Sequence, residues 1–573
     1  MKHLMEFFTR IDGKPYASYG QLQGISFQRS DYDLRFEHIQ ASPGAYPASV
    51  CSVRMTQMNL GLDPSDVSNK NRAIAVKDYI LRVFNDGVEQ NTRPNRGSHG
   101  SGSYQPIDLP PQILERNIVQ FDNEGVQFYF RISLPGSRDN RVLGKQACDM
   151  VMLELPRVID FIKHSLTNQK KRLLKHCDST EDMLLLQAKL KDHGLVAFIA
   201  DGSILPRESG ISEAPLKHGA VPFFAPEDLA VRVDLPHAGT LRGLGIRCGV
   251  TALIGGGFHG KSTLLDSLVK SVYPHVPGDG REGVATDPSA VCICAEDGRS
   301  VNGVDISGFI PNVPGGADTR RFVTVNASGS TSEAAAIIEA VLSESRLLLI
   351  DEDSSASNFL NRDRIMRRLI PEETIIPLFD RVRDLYENHG VSTLIVTGGS
   401  SGYIGAADHV IAMRDYLPVC MTTQARELKM PAPSRPRDPL VIRDERMLLP
   451  DNFNPSYRAE RIGKTIPVRI KPLRRYEKIL EYGESTLDLT KLAGLVDSDQ
   501  ILAVGHALLL ARNRFGHAHM SPSKLSLTIN DLMDDDGLDS LNKYTNTKLF
   551  LARPRLQDLS GAINRIRNIA IRF

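Results

Sequence analysis

A glycine-rich turn between a short apolar strand and an amphipathic helix constrains this chain more than any other feature. The apolar strand covers residues 250–254, and the helical pattern begins directly after the turn. The turn matches the pattern G-x-x-x-x-G-K-[ST], and the strand and helix lie on the sides that this pattern requires. Its residues are Gly255, Gly256, Gly257, Phe258, His259, Gly260, Lys261, Ser262 and Thr263.

The residue types in this turn suit the binding of phosphate groups. Glycines allow successive backbone N–H groups to point at phosphate oxygens, and the helix N-terminus adds to the attraction. Lys261 is predicted to bridge the β- and γ-phosphates, and the Ser262 hydroxyl to enter the coordination shell of Mg²⁺. The alternative is a glycine-rich turn that binds nothing. Because lysine, hydroxyl and context are all present, the stretch predicts a nucleoside triphosphate site.

Length and charge limit the remaining possibilities. A chain of 573 residues is too long for one hydrophobic core, so two to four domains are expected. The net charge of +1 means that any nucleic-acid surface must be local. The seven cysteines show no paired or metal-like spacing, which indicates a reducing compartment. The N-terminus lacks the apolar core of a signal peptide and no stretch reaches membrane-spanning length, so a soluble, cytoplasmic protein without a membrane partner is expected.

The order of apolar periodicities predicts an α/β protein with several parts. Residues 1–165 alternate between strand and helix patterns, as in an α+β domain. Residues 166–430 are predicted to form the P-loop core, a parallel α/β sheet with a small β-subdomain. A proline-rich linker, 431–455, precedes a small α+β C-terminal domain over 456–573.

A second glycine-rich stretch, residues 96–103, lies in the N-terminal domain. It has no lysine after its glycines and no strong strand before it, which favours a simple mobile loop. Because Arg96 flanks the glycines, contact with a nucleic-acid phosphate remains the alternative.

Two carboxylates follow a buried strand downstream of the phosphate loop. The strand 347–350 ends in Asp351 and Glu352. Asp351 is predicted to hold Mg²⁺, and Glu352 to orient and polarise the attacking water of a hydrolysis reaction. The alternative is a pair of acids at a strand end by chance. An adjacent Asp-Glu pair favours hydrolysis over phosphate transfer to a small molecule.

A glycine-serine turn between these two motifs opens another helix. Ser330 followed by Glu333 has the spacing of a capping box, which predicts a helix over 334–342. The turn before it, residues 326–333, is therefore expected to present free backbone amides.

The order of these elements resembles the ABC-class ATPases. Residues 327–331 resemble a divergent form of their Leu-Ser-Gly-Gly-Gln signature, and Asn358 falls at the aspartate position of their next loop. Thr397 and Gly398 fall where the family has its switch histidine, which leaves Ser400 or Ser401 as substitutes. Glu296 falls at the γ-phosphate-sensing loop, where the family usually has glutamine, and a plain loop acid is the alternative.

More specifically, the chain is similar to the family described as predicted ATPases of the ABC class, which includes the ATPase of a kinetoplastid mitochondrial RNA-binding complex involved in RNA editing. The resemblance implies an N-terminal domain, an ABC core and a small C-terminal domain, assembled as a ring-like homodimer with a basic channel. It also implies that Ser328, Gly329 and Ser330 of one subunit close over ATP held by the partner. The stretches that carry it are 255–265, 275–282, 295–306, 327–339, 348–361, 379–383 and 553–567.

A basic segment, residues 458–478, is the main indication of a macromolecular partner. Clustered arginine and lysine with interleaved tyrosine suit a phosphate backbone and base stacking, as for single-stranded RNA or DNA. A solvated charged face is the alternative. Three functions therefore compete: an ATPase whose dimer closure is coupled to nucleic acid, a slow ATP-gated scaffold for a protein, and the soluble ATPase of a transporter.

Overall fold

The computed structural model divides the chain into two compact units. Unit 1 comprises Met1–Leu109, Ile113–Glu181 and Asn542–Arg553, and unit 2 comprises Pro110–Gln112, Asp182–Leu541 and Pro554–Phe573. The structure describes residues 2–123, 125–362, 368–370, 374–398, 401–430, 432–434, 436, 438–449, 453, 470–472, 478–482, 485–515, 519–543, 545, 547–567 and 569–573.

Unit 1 contains a six-stranded sheet whose paired strands are all antiparallel. The strands run in the order β1-β2-β3-β6-β4, and β5 also pairs with β6. They are β1 (Ser26–Gln28), β2 (Asp33–His38), β3 (Ser49–Met55), β4 (Ser103–Gln105), β5 (Val119–Asp122) and β6 (Gly125–Ser133). The helices are α1 (Lys2–Ile11), α2 (Gln57–Leu60), α3 (Lys70–Asn91), α4 (Gly144–Cys148) and α5 (Leu155–Asn168), with α6 (Lys170–Lys189) continuing into unit 2.

Aromatic side chains join the sheet of unit 1 to its longest helix. The α3 residue Phe84 packs against Phe128 and Phe130 of β6, with ring centroids 5.8 and 5.5 Å apart. All three rings are buried, because alternate residues of a strand face the same side of the sheet. Phe550 belongs to the same core although it comes from near the C-terminus. The core of unit 1 therefore needs a distant part of the chain.

The glycine-rich stretch 96–103 is held in place by specific bonds. The Arg96 guanidinium forms an ion pair with Glu154, and both side chains are nearly buried. The amide of Ser98 donates to the Gly136 carbonyl oxygen at 2.8 Å. Arg96 is therefore committed to Glu154, and the sequence-based alternative in which it contacts a nucleic-acid phosphate does not fit its surroundings.

Unit 2 contains a six-stranded sheet in the order β12-β15-β16-β10-β17-β18, and its first five strands are parallel. Beside it is an antiparallel sheet in the order β11-β7-β9-β8. The strands are β7 (Leu195–Ala200), β8 (Ala230–Leu235), β9 (Gly239–Arg247), β10 (Val250–Ile254), β11 (Val284–Thr286), β12 (Val291–Ile293), β13 (Val301–Val304), β14 (Phe322–Thr324), β15 (Leu347–Asp351), β16 (Ser392–Val396), β17 (His409–Arg414) and β18 (Leu417–Cys420). Continuous apolar runs such as Leu347–Ile350 suit strands that are covered on both faces.

The rest of unit 2 consists of helices around the parallel sheet and a C-terminal part. The C-terminal strands are β19 (Met447–Leu448), β20 (Ile470–Pro472), β21 (Ile479–Tyr482), β22 (Ser485–Asp488) and β23 (Ile571–Arg572). The helices are α7 (Lys261–Lys270), α8 (Gly329–Leu342), α9 (Ser357–Leu360), α10 (Leu378–His389), α11 (Thr422–Glu427), α12 (Ser498–Phe515), α13 (Pro522–Asp535) and α14 (Leu556–Asn564). The last of these packs against α8 of the core. The predicted α/β fold, with α+β flanking parts, is confirmed.

No helix within the described ranges combines the length and the apolar character needed to cross a lipid bilayer.

Candidate functional site

The predicted phosphate loop joins β10 to α7 at the C-terminal edge of the parallel sheet. Gly255 has a φ of 145°, and a Cβ atom there would lie 2.7 Å from the carbonyl oxygen of Met413. Gly260 has a φ of 90°, and it directly precedes the helix. Both backbone conformations are ones that side chains disfavour, so these two positions require glycine.

The cation and the hydroxyls of the phosphate loop stand at the start of α7. The Lys261 ammonium donates to the carbonyl oxygens of Gly255 and Gly256, at 2.8 Å each. Ser262 is exposed in the first turn, whereas Thr263 is half-buried. The lysine thus sits over the loop itself, where phosphate oxygens would offer it stronger, charged acceptors.

The tip of the loop carries two large side chains, Phe258 and His259, between Gly257 and Gly260. Phe258 is 99% exposed, and its φ of 63° is unusual for a residue with a side chain. The Nδ1 atom of His259 lies 2.9 Å from the backbone nitrogen of Asp415, which donates to it. His259 therefore ties the loop to the turn after β17.

Asp351 ends β15, near Ser262 and Lys261 of the phosphate-loop helix. Its carboxylate accepts from the backbone N–H of Asp353 at 3.1 Å, and the nearby Ser262 side chain favours its charged form. Burial raises the pKa of Asp351 above its usual range, and the positive charge of Lys261 opposes this shift. Hydroxyl and carboxylate oxygens are the ligands that Mg²⁺ prefers, so the two side chains fit this ion.

Glu352 is held by the neighbouring strand. Because Asp351 pairs with Val396 in parallel register, the residues that follow each of them lie side by side. The Thr397 hydroxyl donates to Oε2 of Glu352 at 2.6 Å, and the Gly398 amide donates to the same atom at 3.2 Å. Thr397 is thus a site residue whose role the sequence did not reveal.

Two serines were the expected substitutes for the missing histidine. Ser400 lies outside the described residues, and Ser401 precedes a short 3-10 helix, Gly402–Gly405. Among the described residues of this segment, Thr397 and Gly398 are the ones with hydrogen bonds to Glu352. A parallel register of β15 and β16 is the signal that would have identified Thr397.

The turn predicted to be the signature starts a helix, but earlier than expected. α8 begins at Gly329, and Ser328, which is exposed, is its N-cap. Ser330 donates to the side-chain oxygen of Asn358 at 3.0 Å. The Glu333 carboxylate accepts from the backbone N–H of Ala356 at 3.0 Å. The predicted capping box is therefore wrong, because Ser330 and Glu333 both bond to the 355–358 segment and not to the helix start.

Glu296 follows β12 and is bound to the C-terminal part of the chain. Its carboxylate accepts from the Arg565 guanidinium, with Nη2 2.7 Å from Oε2 and Nε 3.2 Å from the same oxygen. The Glu296 amide donates to the Ser332 hydroxyl of α8 at 2.9 Å. Any role of Glu296 near the γ-phosphate, as the sequence predicts, therefore depends on its ion pair with Arg565, which lies 269 residues later in the sequence.

An apolar cavity of about 170 Å³ adjoins the phosphate loop. Gly260 and Thr263 line one side, and Tyr416 of the β17–β18 turn lines another. Both central residues of this turn, Asp415 and Tyr416, have positive φ, as a tight two-residue hairpin requires. The remaining lining residues are Leu205, Pro206, Leu216, Gly219, Ala220, Val221, Phe223 and Met413.

The predicted basic segment, 458–478, lies outside the described residues except at 470–472 and 478. The Lys478 ammonium donates to the carbonyl oxygen of Leu492 at 2.9 Å. Burial, with the nearby charge of Lys270, lowers the pKa of Lys478 to about 8. Lys478 therefore bonds within the C-terminal part and is not presented to a phosphate backbone.

Glu333 makes the stability of this protein depend on pH. Burial raises the pKa of Glu333 from 4.5 to about 7. Between pH 4.5 and about pH 7, the folded chain therefore keeps a proton on Glu333 that the unfolded chain has lost. Stability then decreases as the pH rises through this window. We expect Glu333→Gln to raise the free energy of unfolding at pH 8 by up to about 3 kcal/mol, with little change at pH 4. Urea unfolding of both proteins at the two pH values measures this, and an equal effect at both would contradict it.

Three family models match the chain in succession. The N-terminal model of ATPases of the ABC class matches residues 1–164, and the P-loop domain model of the ABC ATPases matches residues 169–441. The MRB1590 C-terminal domain model matches residues 474–572.

Individual proteins give more limited matches. The uncharacterized protein MJ1628 of Methanocaldococcus jannaschii is 31% identical over 240 residues, which are 40% of this chain. The chain spans about half, 53%, of that relative. Among solved structures, cbiO1 of Clostridium perfringens, part of the ABC transporter complex cbiONQ, aligns with 41% of this chain and 92% of its own, at 13% identity and a TM-score of 0.26. The ADP conformation of MJ1267, an ATP-binding cassette of an ABC transporter, aligns with 41% and 94%, at 11% identity and a TM-score of 0.25.

The phosphate loop and the acidic strand end thus lie within the residues that the P-loop model covers, and the flanking models match on both sides of it. The chain belongs to the family of ABC-class P-loop ATPases.

Proposed function

We propose that this protein hydrolyses ATP with the help of Mg²⁺ at the C-terminal edge of its parallel sheet. The observation that carries the proposal is the position of Gly398 between the two motifs: its amide donates to Glu352 at 3.2 Å, and a Cβ atom placed on it would lie 3.4 Å from the Lys261 ammonium. Glu352 directly follows Asp351 at the end of β15, and Thr397 also binds its carboxylate. Phosphate binding, metal ligation and water activation would therefore share one edge of the sheet.

The chain's own residues supply the binding and the proton transfer. The Lys261 ammonium would exchange the carbonyls of Gly255 and Gly256 for oxygens of the β- and γ-phosphates. Glu352, with one oxygen bound by Thr397, would orient a water molecule and accept its proton. Ser262 and Asp351 would hold Mg²⁺, which neutralises charge on the phosphate oxygens when it is bound.

The apolar cavity beside the loop would receive the base of the nucleotide. Its position next to Gly260 and Thr263 places it at the start of α7, beside the phosphate site. Tyr416, an exposed residue of its lining, offers aromatic surface to a purine ring. Base binding of this kind would add affinity and favour ATP over the bare triphosphate.

ATP would also join two copies of the chain. In the proposed homodimer, Ser328, Gly329 and Ser330 of one subunit close over ATP on the other. Because the N-cap residue Ser328 is exposed, the backbone amides of the first turn of α8 could bind a γ-phosphate. ATP binding would thus favour the closed dimer, and hydrolysis would release it.

Closure of the dimer is proposed to be coupled to single-stranded RNA or DNA. The basic segment 458–478 and the match to the MRB1590 C-terminal domain model support this coupling. Binding through the phosphate backbone would weaken steeply with salt. The ATP-gated scaffold for a protein partner is the second candidate, because the side chain of Lys478 bonds to Leu492 inside the C-terminal part.

The test measures ATP turnover with and without single-stranded RNA and single-stranded DNA at fixed salt, using Glu352→Gln as the blank. Under the proposal, RNA or DNA raises turnover in the natural protein by about tenfold, because a polymer that binds the closed dimer better shifts the population toward it. Turnover that does not respond, with neither polymer retained at low salt, would reject the coupling and favour the scaffold. Absence of turnover that depends on Glu352 would reject hydrolysis itself.

A further inference from the structure

The loop 295–299 connects the candidate hydrolysis site to the signature helix. The amide of Ala295 donates to the carbonyl oxygen of Ser354 at 3.0 Å, just after the acidic strand end. The amide of Glu296 donates to Ser332 of α8, and that of Gly298 donates to Ala327 at 2.8 Å. A shift of this loop would therefore move both the acidic strand end and the signature turn.

This loop also lies at the edge of the sheet where the phosphates are expected. β12 and β15 are parallel with Ile293 opposite Ile350, so the residues after each strand emerge on the same side. β12 is three strands from β10 in the sheet, on the order of 15 Å at about 4.8 Å per strand. Glu296 follows β12 at that edge, and because its carboxylate is mostly buried, salt screens its effect on a bound triphosphate less than that of a surface charge.

A negative charge there would oppose ATP binding unless it is balanced. The side chains of Glu296 and Arg565 are only 14% and 9% exposed, so water screens the carboxylate poorly. Burial disfavours the charged guanidinium, but the Glu296 carboxylate raises the pKa of Arg565 above its usual value. The pair is therefore a salt bridge with no net charge, formed between the loop and the end of the chain.

Arg567 attaches the same loop at a second point. Its guanidinium donates to the carbonyl oxygen of Gly298 at 3.2 Å and to that of Val325, also at 3.2 Å. Nη1 of Arg565 in turn donates to the carbonyl oxygen of Gly561, within α14. The segment after α14 thus holds the loop by charge at Glu296 and by a backbone contact at Gly298, and it also contacts Val325 just after β14.

We propose that Arg565 is a positioning residue that supplies the counter-charge for Glu296. The C-terminal segment thereby controls the electrostatic repulsion between this loop and the γ-phosphate of ATP. This inference rests on the proposed function, because it assigns regulation to the same ATP site. It predicts a charge effect that discriminates ATP from ADP, because ATP carries one more negatively charged phosphate than ADP.

The experiment compares dissociation constants for ATP and ADP, measured with Mg²⁺ by titration calorimetry on the full chain. We expect Arg565→Gln to weaken ATP binding about tenfold and ADP binding less than about threefold, because the unpaired carboxylate repels the extra phosphate. The double variant Glu296→Gln/Arg565→Gln should return to within about twofold of the natural protein, because neither charge remains. Arg572→Gln, an exposed arginine of the same terminal segment, is the matched control and should change neither constant.

The remaining outcomes distinguish the loss of the counter-charge from a general structural defect. Equal losses for ATP and ADP, or a double variant as weak as Arg565→Gln, would overturn the inference. Arg565→Lys is the second test if Arg565→Gln does not fold: it keeps the charge, so ATP affinity should stay within about threefold, and a tenfold loss would contradict the proposal. If the natural protein binds no ATP, both the proposed function and this inference are rejected. Normal ATP binding with an unaffected Arg565→Gln overturns the inference alone.

Discussion

Replacing Glu352 with glutamine is expected to lower the turnover number for ATP by about 10³-fold, within the range for loss of a general base. Glutamine keeps the size of the side chain and can still accept the hydrogen bond from Thr397, but it cannot take a proton from water. ATP binding should persist, because the phosphate loop and Asp351 are unchanged. Steady-state phosphate release and equilibrium ATP binding, measured on the same preparation, give the two quantities.

Glu344→Gln is the control for this experiment. Glu344 is an exposed acid that precedes β15, at the opposite end of the strand from Glu352. The substitution removes the same charge without touching the proposed site, so turnover should stay within about twofold. Turnover of Glu352→Gln within about threefold of the natural protein would show that Glu352 is not the base.

Lys261→Ala should produce the largest loss of ATP affinity. The ammonium is the phosphate loop's own cation, and removing a charged partner of a phosphate costs about 3 kcal/mol, or about 100-fold in the dissociation constant. The carbonyl oxygens of Gly255 and Gly256 would lose their donor in the free protein, but both residues lie at a partly solvated turn. Folding should therefore be preserved, which thermal unfolding can verify.

The other end of the same helix offers a matched control. Lys270 is the last residue of α7, and its ammonium lies 3.2 Å from a Glu213 carboxylate oxygen. This partly exposed ion pair lies at the far end of the helix from the phosphate loop, so Lys270→Ala should leave ATP affinity within about twofold. Equal affinity for ATP in Lys261→Ala and Lys270→Ala would mean that the loop does not hold the phosphates.

Local patterns in the sequence predicted the parts of the site that are contiguous in the chain. The phosphate loop needs glycine at fixed positions, so a strand, a glycine turn and a Lys-Ser pair can be recognised without a structure. Asp351 and Glu352 could be recognised for a similar reason, since they end an apolar strand. Ser330 and Glu333 show where such reading fails: their spacing also fits a capping box, but the Glu333 side chain is drawn to the backbone N–H of Ala356.

Contacts between residues that are far apart in the chain could not be predicted from the sequence. Thr397 reaches Glu352 only because β15 and β16 are neighbours in parallel register. Arg565 reaches Glu296 only because α14 packs against α8. Each of these pairs depends on tertiary packing, and neither residue type nor local spacing distinguishes Arg565 from the other arginines near it.

The return of Asn542–Arg553 to unit 1 bears on how such a chain can evolve. Within unit 1, Asn117 exchanges hydrogen bonds with Leu551, and Phe550 is fully buried among residues of the first third of the chain. The C-terminal sequence therefore contains part of the N-terminal core. Recombination that replaced the last hundred residues of this sequence with an unrelated module would leave a cavity in that core, so its N-terminal and C-terminal parts are expected to diverge together.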